Sequence, residues 1–157
     1  MSGINIMGSG PLGTMDAPPA PGDIRASVKG VLQPLFPGVK CYPDAIDQGT
    51  GMPAILYRFE NRQDNPVMGN SPSHGAKIVS SSGYVVFHSF DYSKPDAVQR
   101  AILIKQAFNG LRGPMGTVYV GSSFKLKDET DDELQIDDGS GRTIYEVRLT
   151  FHVGWCE

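Results

Sequence analysis

The sequence predicts an α+β domain: an antiparallel sheet of about four strands with two helices packed on one face, preceded by an extended N-terminal arm. Three observations carry this. In residues 143–153, Tyr145, Val147, Leu149, Phe151 and Val153 alternate with Glu146, Arg148, Thr150 and His152, the period-two signature of a strand with one buried face. Two other segments repeat their apolar residues at helical spacing, Ile24, Val28, Val31 and Leu32 in one and Ala97, Ala101, Ile104 and Phe108 in the other. The strand-like runs also come in adjacent pairs with polar, turn-rich links, which favours antiparallel pairing over a βαβ arrangement.

Taken in order, residues 1–22 contain five Gly and four Pro, almost no charge and no period that could bury a face, and read as an arm outside the domain of residues 23–157. Its apolar and proline residues, such as Met1, Leu12, Pro18 and Pro19, are expected to gain order only against another surface. Asp23 caps the first helix, which Pro34 and Pro37 stop. Residues 38–52 form a loop leading to a strand over 53–60, where Ile55, Tyr57 and Phe59 share a face. Residues 61–83 are polar and carry Pro66, Gly69, Pro72 and Gly75, so they read as a long exposed loop in which Pro66, Met68, Pro72 and His74 are candidate contact residues. Residues 84–92 (YVVFHSFDY) read as a central strand. Ser93 and Pro95 open the second helix and Asn109-Gly110 end it. Residues 117–127 and 143–153 are the last two strands, joined across an acidic segment whose Asp138-Gly139-Ser140-Gly141 supplies turn chemistry.

Composition bounds the function. A chain of 157 residues, 39% hydrophobic and 20% charged, makes one soluble domain that buries about two-thirds of its surface. No apolar run reaches membrane-spanning length and no signal peptide is evident, so a cytoplasmic site of synthesis is expected. The net charge of −3 is uneven. Residues 128–138 (DETDDELQIDD) hold seven of the 17 acids, namely Asp128, Glu129, Asp131, Asp132, Glu133, Asp137 and Asp138, and leave the body mildly basic. That basic excess is too dilute for sequence-specific nucleic-acid binding. Seven carboxylates in eleven residues cannot be buried unpaired, so the acidic run belongs on an exposed hairpin.

The residues offer little catalytic chemistry. His74, His88 and His152 have no ligand spacing and read as surface or sheet histidines. The acidic run lacks the glycine of a calcium loop, and residues 110–116 are glycine-rich but interrupted by Pro114, reading as a helix exit and turn. No serine or cysteine lies in a nucleophile elbow, and Cys41 and Cys156, far apart and outside any CxxC motif, are expected to be free thiols. A non-enzymatic protein without metal or cofactor is expected.

The ordered pieces carry a resemblance. Tyr42-Pro43, the segment Met52-Pro53-Ala54-Ile55-Leu56-Tyr57, the helix DAVQRAILIKQAF ending at Leu111-Arg112-Gly113, the acidic residues 128–133 and the closing strand of residues 145–155 follow one another as in the tail terminator (tail completion) family of long-tailed phages and prophages. That family shows a "VYP…LP…PAIVY"-like stretch, a helix with an "L.G" exit, an acidic "DDERD"-type loop and an "H.VSLDF.VWY"-type closing strand. The likeness spans residues 23–157, with an arm and a 61–83 loop longer than is usual in the family. It implies a structural virion protein, assembled in the host cytoplasm, that forms a homohexameric ring in the neck region at the head-proximal end of the tail tube. There it would stop tube polymerisation, contact the major tail tube protein and the head-tail connector, and let DNA pass without sequence-specific contact. The acidic run, the arm and the 61–83 loop would be its contact surfaces. Two other readings are a head-tail connector or neck subunit, and a non-viral α+β adaptor domain; a small hydrolase using His88 or Cys41 is a third.

Overall fold

The computed structural model describes residues 23–46, 51–66, 79–134 and 141–156. They form two helices and one six-stranded mixed sheet. In chain order these are α1 (Ile24–Leu35), β1 (Lys40–Pro43), β2 (Ala54–Pro66), β3 (Val79–Asp91), α2 (Lys94–Phe108), β4 (Gly113–Met115), β5 (Val118–Leu134) and β6 (Ile144–Cys156). Sheet order is β1-β2-β3-β6-β5-β4, antiparallel throughout except for β1, which runs parallel to β2.

The four expected strands are therefore the sheet's long centre, and two short edge strands were not anticipated. β1 lies in the expected 38–52 loop and β4 in the expected helix exit. Both are too short, at 4 and 3 residues, for a period-two pattern to register. β4 also contains Pro114, which an edge strand tolerates because its N–H need not enter the ladder. The strands run further than their apolar patterns. β2 continues through Pro66 and β3 begins at Val79, so residues 61–66 and 79–83 of the expected loop are strand, with 63–66 paired to 79–82. The polar Gln63, Asp64 and Asn65 stand opposite Ser82, Ser81 and Ser80 past a bulge at Asn61, a residue with positive φ.

Both helices pack on the same side. Asp23 caps α1 through its carboxylate, which accepts from the Arg25 N–H, and Ile24, Val28 and Leu32 are fully buried. Pro34 falls in its last turn and the chain leaves the helix at Phe36. α2 begins with Pro95 in its first turn and ends at Asn109, followed by Gly110 at φ +85°. Its Ala97, Ala101, Ile104 and Phe108 meet Phe87, Phe124 and Phe151, with ring centroids of Phe108 at 4.8 Å from Phe87 and 5.2 Å from Phe124.

α1 touches both edge strands. β1 pairs with residues 54–57 at one end of β2, and β4 with residues 118–120 at the other end of the sheet. The two lie at diagonally opposite corners, and α1 crosses between them. At the β4 corner, Gly116 (φ +59°) comes so close that a Cβ there would stand 2.8 Å from Ser27 Oγ.

Candidate assembly surfaces

The face of the sheet away from the helices is where a polar site is built. Strand alternation places Leu56 and Arg58 of β2, Val86, His88 and Phe90 of β3, Glu146 and Arg148 of β6, and Asp128, Thr130 and Asp132 of β5 on this face. Leu56, His88, Arg148 and Thr130 stand abreast. His88 and Glu146 are only 5% and 7% exposed, although no helix covers them among the described residues. They bury each other: His88 Nδ1 and Glu146 Oε2 are 2.6 Å apart, and the His88 ring stacks on Phe90 at 5.8 Å with planes 5° apart. His88 Nε2 and Arg58 Nε have no hydrogen-bond partner among the described residues. Arg148 Nε donates to Thr130 Oγ1 across the β5–β6 ladder.

This pair was legible only in part. Its two residues were placed on strands, but their meeting needs the diagonal neighbour relation between β3 and β6, which one sequence does not reveal. A histidine held by a carboxylate can serve as a base when a nucleophile lies near. Ser89, its chain neighbour, points to the opposite face and donates to the Ala97 carbonyl. Cys41, free as expected, is buried, and burial pushes its thiol up to about 11, away from the thiolate that reactivity requires. Among the described residues no group of three or more His, Cys, Asp or Glu could hold a metal ion, and no helix is long and apolar enough to cross a membrane.

The acidic run continues β5 as strand. Asp128, Glu129, Asp131, Asp132 and Glu133 are exposed and paired with residues 145–150 of β6, while Asp137 and Asp138 lie outside the described residues. The run thus forms the far half of a long hairpin. Alternation sends Glu129 to the helix side, where it accepts an ion pair from Lys105 Nζ at 2.8 Å. Asp131, Asp132 and Glu133 line a small cavity with Lys94, Tyr145 and Glu146. Pro66 ends β2; Met68, Pro72 and His74 of the loop, and Met1, Leu12, Pro18 and Pro19 of the arm, lie outside the described residues.

Sequence reasoning missed the sheet edges. β1 covers β2 only as far as Tyr57, and beyond it no strand among the described residues pairs with the outer side of residues 58–66. β4 covers residues 118–120 of β5, and the α2 exit holds Phe124 and Leu126 through Leu111, Gly110 and Asn109. Residues 127–134 have no such cover among the described residues. Charged groups dominate both open stretches: Arg58 pairs with Glu60 at 3.0 Å and Arg62 with Asp64 at 2.9 Å. Ser81 and Arg62 together hold the Asp64 carboxyl below its ordinary range.

No protein-family profile matches the chain, and no curated protein does. Solved structures do: 28 chains match. One belongs to a structure described as the "Virion of native gene transfer agent (GTA) particle". It superposes with a TM-score of 0.57 at 11% identity, over 89% of this chain and 100% of that one. At that identity the likeness establishes the shared fold.

Proposed function

We propose that this chain is a structural virion protein of a phage-like particle, acting as a tail terminator. Copies form a ring, six by the family resemblance, on the head-proximal end of the tail tube, stop tube growth and present the docking face for the head connector. The observation that supports this most is the agreement of two independent likenesses. The order of sequence features resembles tail terminators, and the fold matches a chain of a gene transfer agent virion along that chain's full length. The site chemistry points the same way. Ser89, next to His88 in the chain, faces away from the buried His88–Glu146 pair, burial pushes the Cys41 thiol well above its ordinary range, and the open strand edges among the described residues are charged and suited to assembly.

In this reading the domain of residues 23–157 builds the ring, and the arm of residues 1–22 and the segment around Pro66, Met68, Pro72 and His74 reach neighbouring copies or the tube. The acidic strand faces the lumen, where it repels DNA phosphate and lets the genome slide. The test is native mass spectrometry of the full chain with and without purified tail tubes, alongside tube elongation. A ring on capped, non-growing tubes is expected. Binding to the connector but not the tube would make the chain a neck subunit instead, and a tight dimer under both conditions would refute the ring.

A further inference from the structure

We infer that copies of this chain join edge to edge, the open stretch of β2 in one (residues 58–66) pairing antiparallel with the open stretch of β5 in the next (residues 127–134). This rests on the ring reading above and names the surface by which the ring closes.

The first ground is strand direction. β2, β3, β6 and β5 alternate in direction, so β2 and β5 at the two sides run opposite ways. Repeating the same order by rotation sets β2 of one copy antiparallel to β5 of its neighbour, and the ladder continues unbroken. The stretches also match in length, nine residues against eight.

The second ground is the offset. Thr130, near the middle of the β5 stretch, is level with Leu56 of β2, whereas the middle of the β2 stretch is Arg62, six residues further along. Pairing the stretches shifts each copy along the strands by roughly 20 Å, at about 3.3 Å per residue, while four strand spacings of about 4.8 Å carry it roughly 19 Å sideways. For that displacement to run around a ring, the strands must tilt by about 45° to the ring axis, within the 35–45° range of closed barrels. Pairing of β2 with β2, or β5 with β5, imposes no such geometry.

The third ground is curvature. α1 holds the β1 and β4 corners, and a twisted sheet that bends toward its helix layer along one diagonal bends away along the other. The open stretches are at the two remaining corners. Charge removes one competing combination, since β5 against β5 would set five carboxylates of the described run against five more. The β2 stretch is internally neutralised by its two ion pairs.

The experiment uses the full chain with Cys41→Ala and Cys156→Ser, adding Gln63→Cys to one sample and Glu129→Cys or Thr130→Cys, the positions opposite it in this register, to the other. These two β5 positions point to opposite faces, so one shares a face with Gln63. Mixed samples are oxidised with and without tail tubes and weighed by native mass spectrometry. A disulfide dimer should form in one mixture at several times the yield of either variant alone. Rings without that cross-link, or with links only between like variants, would overturn the edge pairing and leave the ring reading standing. A chain that stays monomeric with tubes present would overturn both.

Discussion

Replacing Gly116 by Ala tests the docking of α1 on the β4 corner, where Gly116 meets Ser27. Two costs combine. Gly116 sits at φ +59°, where a side chain costs about 1–2 kcal/mol. The new Cβ would also stand 2.8 Å from Ser27 Oγ and 3.2 Å from Ser27 Cβ, with the Ser27 backbone at 3.4 Å behind, so α1 must back away. Overpacking of this kind costs about 1–3 kcal/mol. Together they predict a loss of roughly 2–5 kcal/mol in urea unfolding. Ser27→Ala removes the nearest atom, a buried hydroxyl with no hydrogen-bond partner among the described residues, and should be neutral or stabilising alone. In the double variant it should restore about 1 kcal/mol, the coupling energy of the cycle, while the backbone strain at position 116 remains. A Gly116→Ala variant within about 0.5 kcal/mol of the parent, or a double variant with no coupling, would refute the close approach.

Other outcomes follow from the same geometry. Burial raises Cys41 to about 11 and Tyr57 to about 12, above the values near 9 and 10 of the unfolded chain. The folded state therefore keeps the protons that the unfolded state loses, and stability should fall as pH rises from 9 through 12; Cys41→Ala with Tyr57→Phe should flatten that limb of a pH-stability profile. Replacing Asp128, Glu129, Asp131, Asp132 and Glu133 by Ser and Asn should spare folding, because the ion pair to the body that the run makes among the described residues, Glu129 with Lys105, is worth about 0.2–1 kcal/mol. It should leave head joining normal and impair genome release; joining lost at every salt concentration would place the run at the docking face for the head connector, and no change in either assay would remove its role in the lumen. Deleting residues 1–22 should leave the melting temperature unchanged and weaken attachment to tubes, and a fall of many degrees would place the arm in the core.

Much of the fold is legible because the core obeys periodicity. β6 and the buried stripe of α2 could be drawn from the sequence, since every second or every third to fourth residue is apolar. The strand ends could not, and for one physical reason: they are polar on both faces. Gln63, Asp64 and Asn65 find strand partners in a row of serines, and the carboxylates of β5 in residues 145–150 of β6, so pairing supplies what side-chain burial does not. Edge strands of three and four residues fall below any pattern length, and the meeting of His88 with Glu146 depends on a register that only the folded sheet fixes. The candidate surfaces were named by composition in part, as with the acidic run, while the open edge of β2 was hidden inside what read as a loop.

The placement of the two short strands bears on how an assembly can stop. A sheet with both edges fully open adds copies directly sideways, and nothing in that geometry limits the number or fixes a curvature. Here β1 closes the first third of β2 and β4 the first part of β5, and because β2 and β5 run in opposite directions the closed parts are diagonal to each other. In the proposed edge pairing, a neighbour then adds along the other diagonal, where the described residues leave the edges open, about equally sideways and along the strands. If the strands stood parallel to the assembly axis, that step would climb and generate an open helix. Only at the tilt at which the climb vanishes does the last copy meet the first. Extending β1 along β2 would move the free stretch further down the strand, steepen the required tilt beyond the barrel range and favour a climbing fibre over a ring. In the proposed ring, the lengths of two strands too short to be seen in the sequence would thus be the parameters on which closure depends.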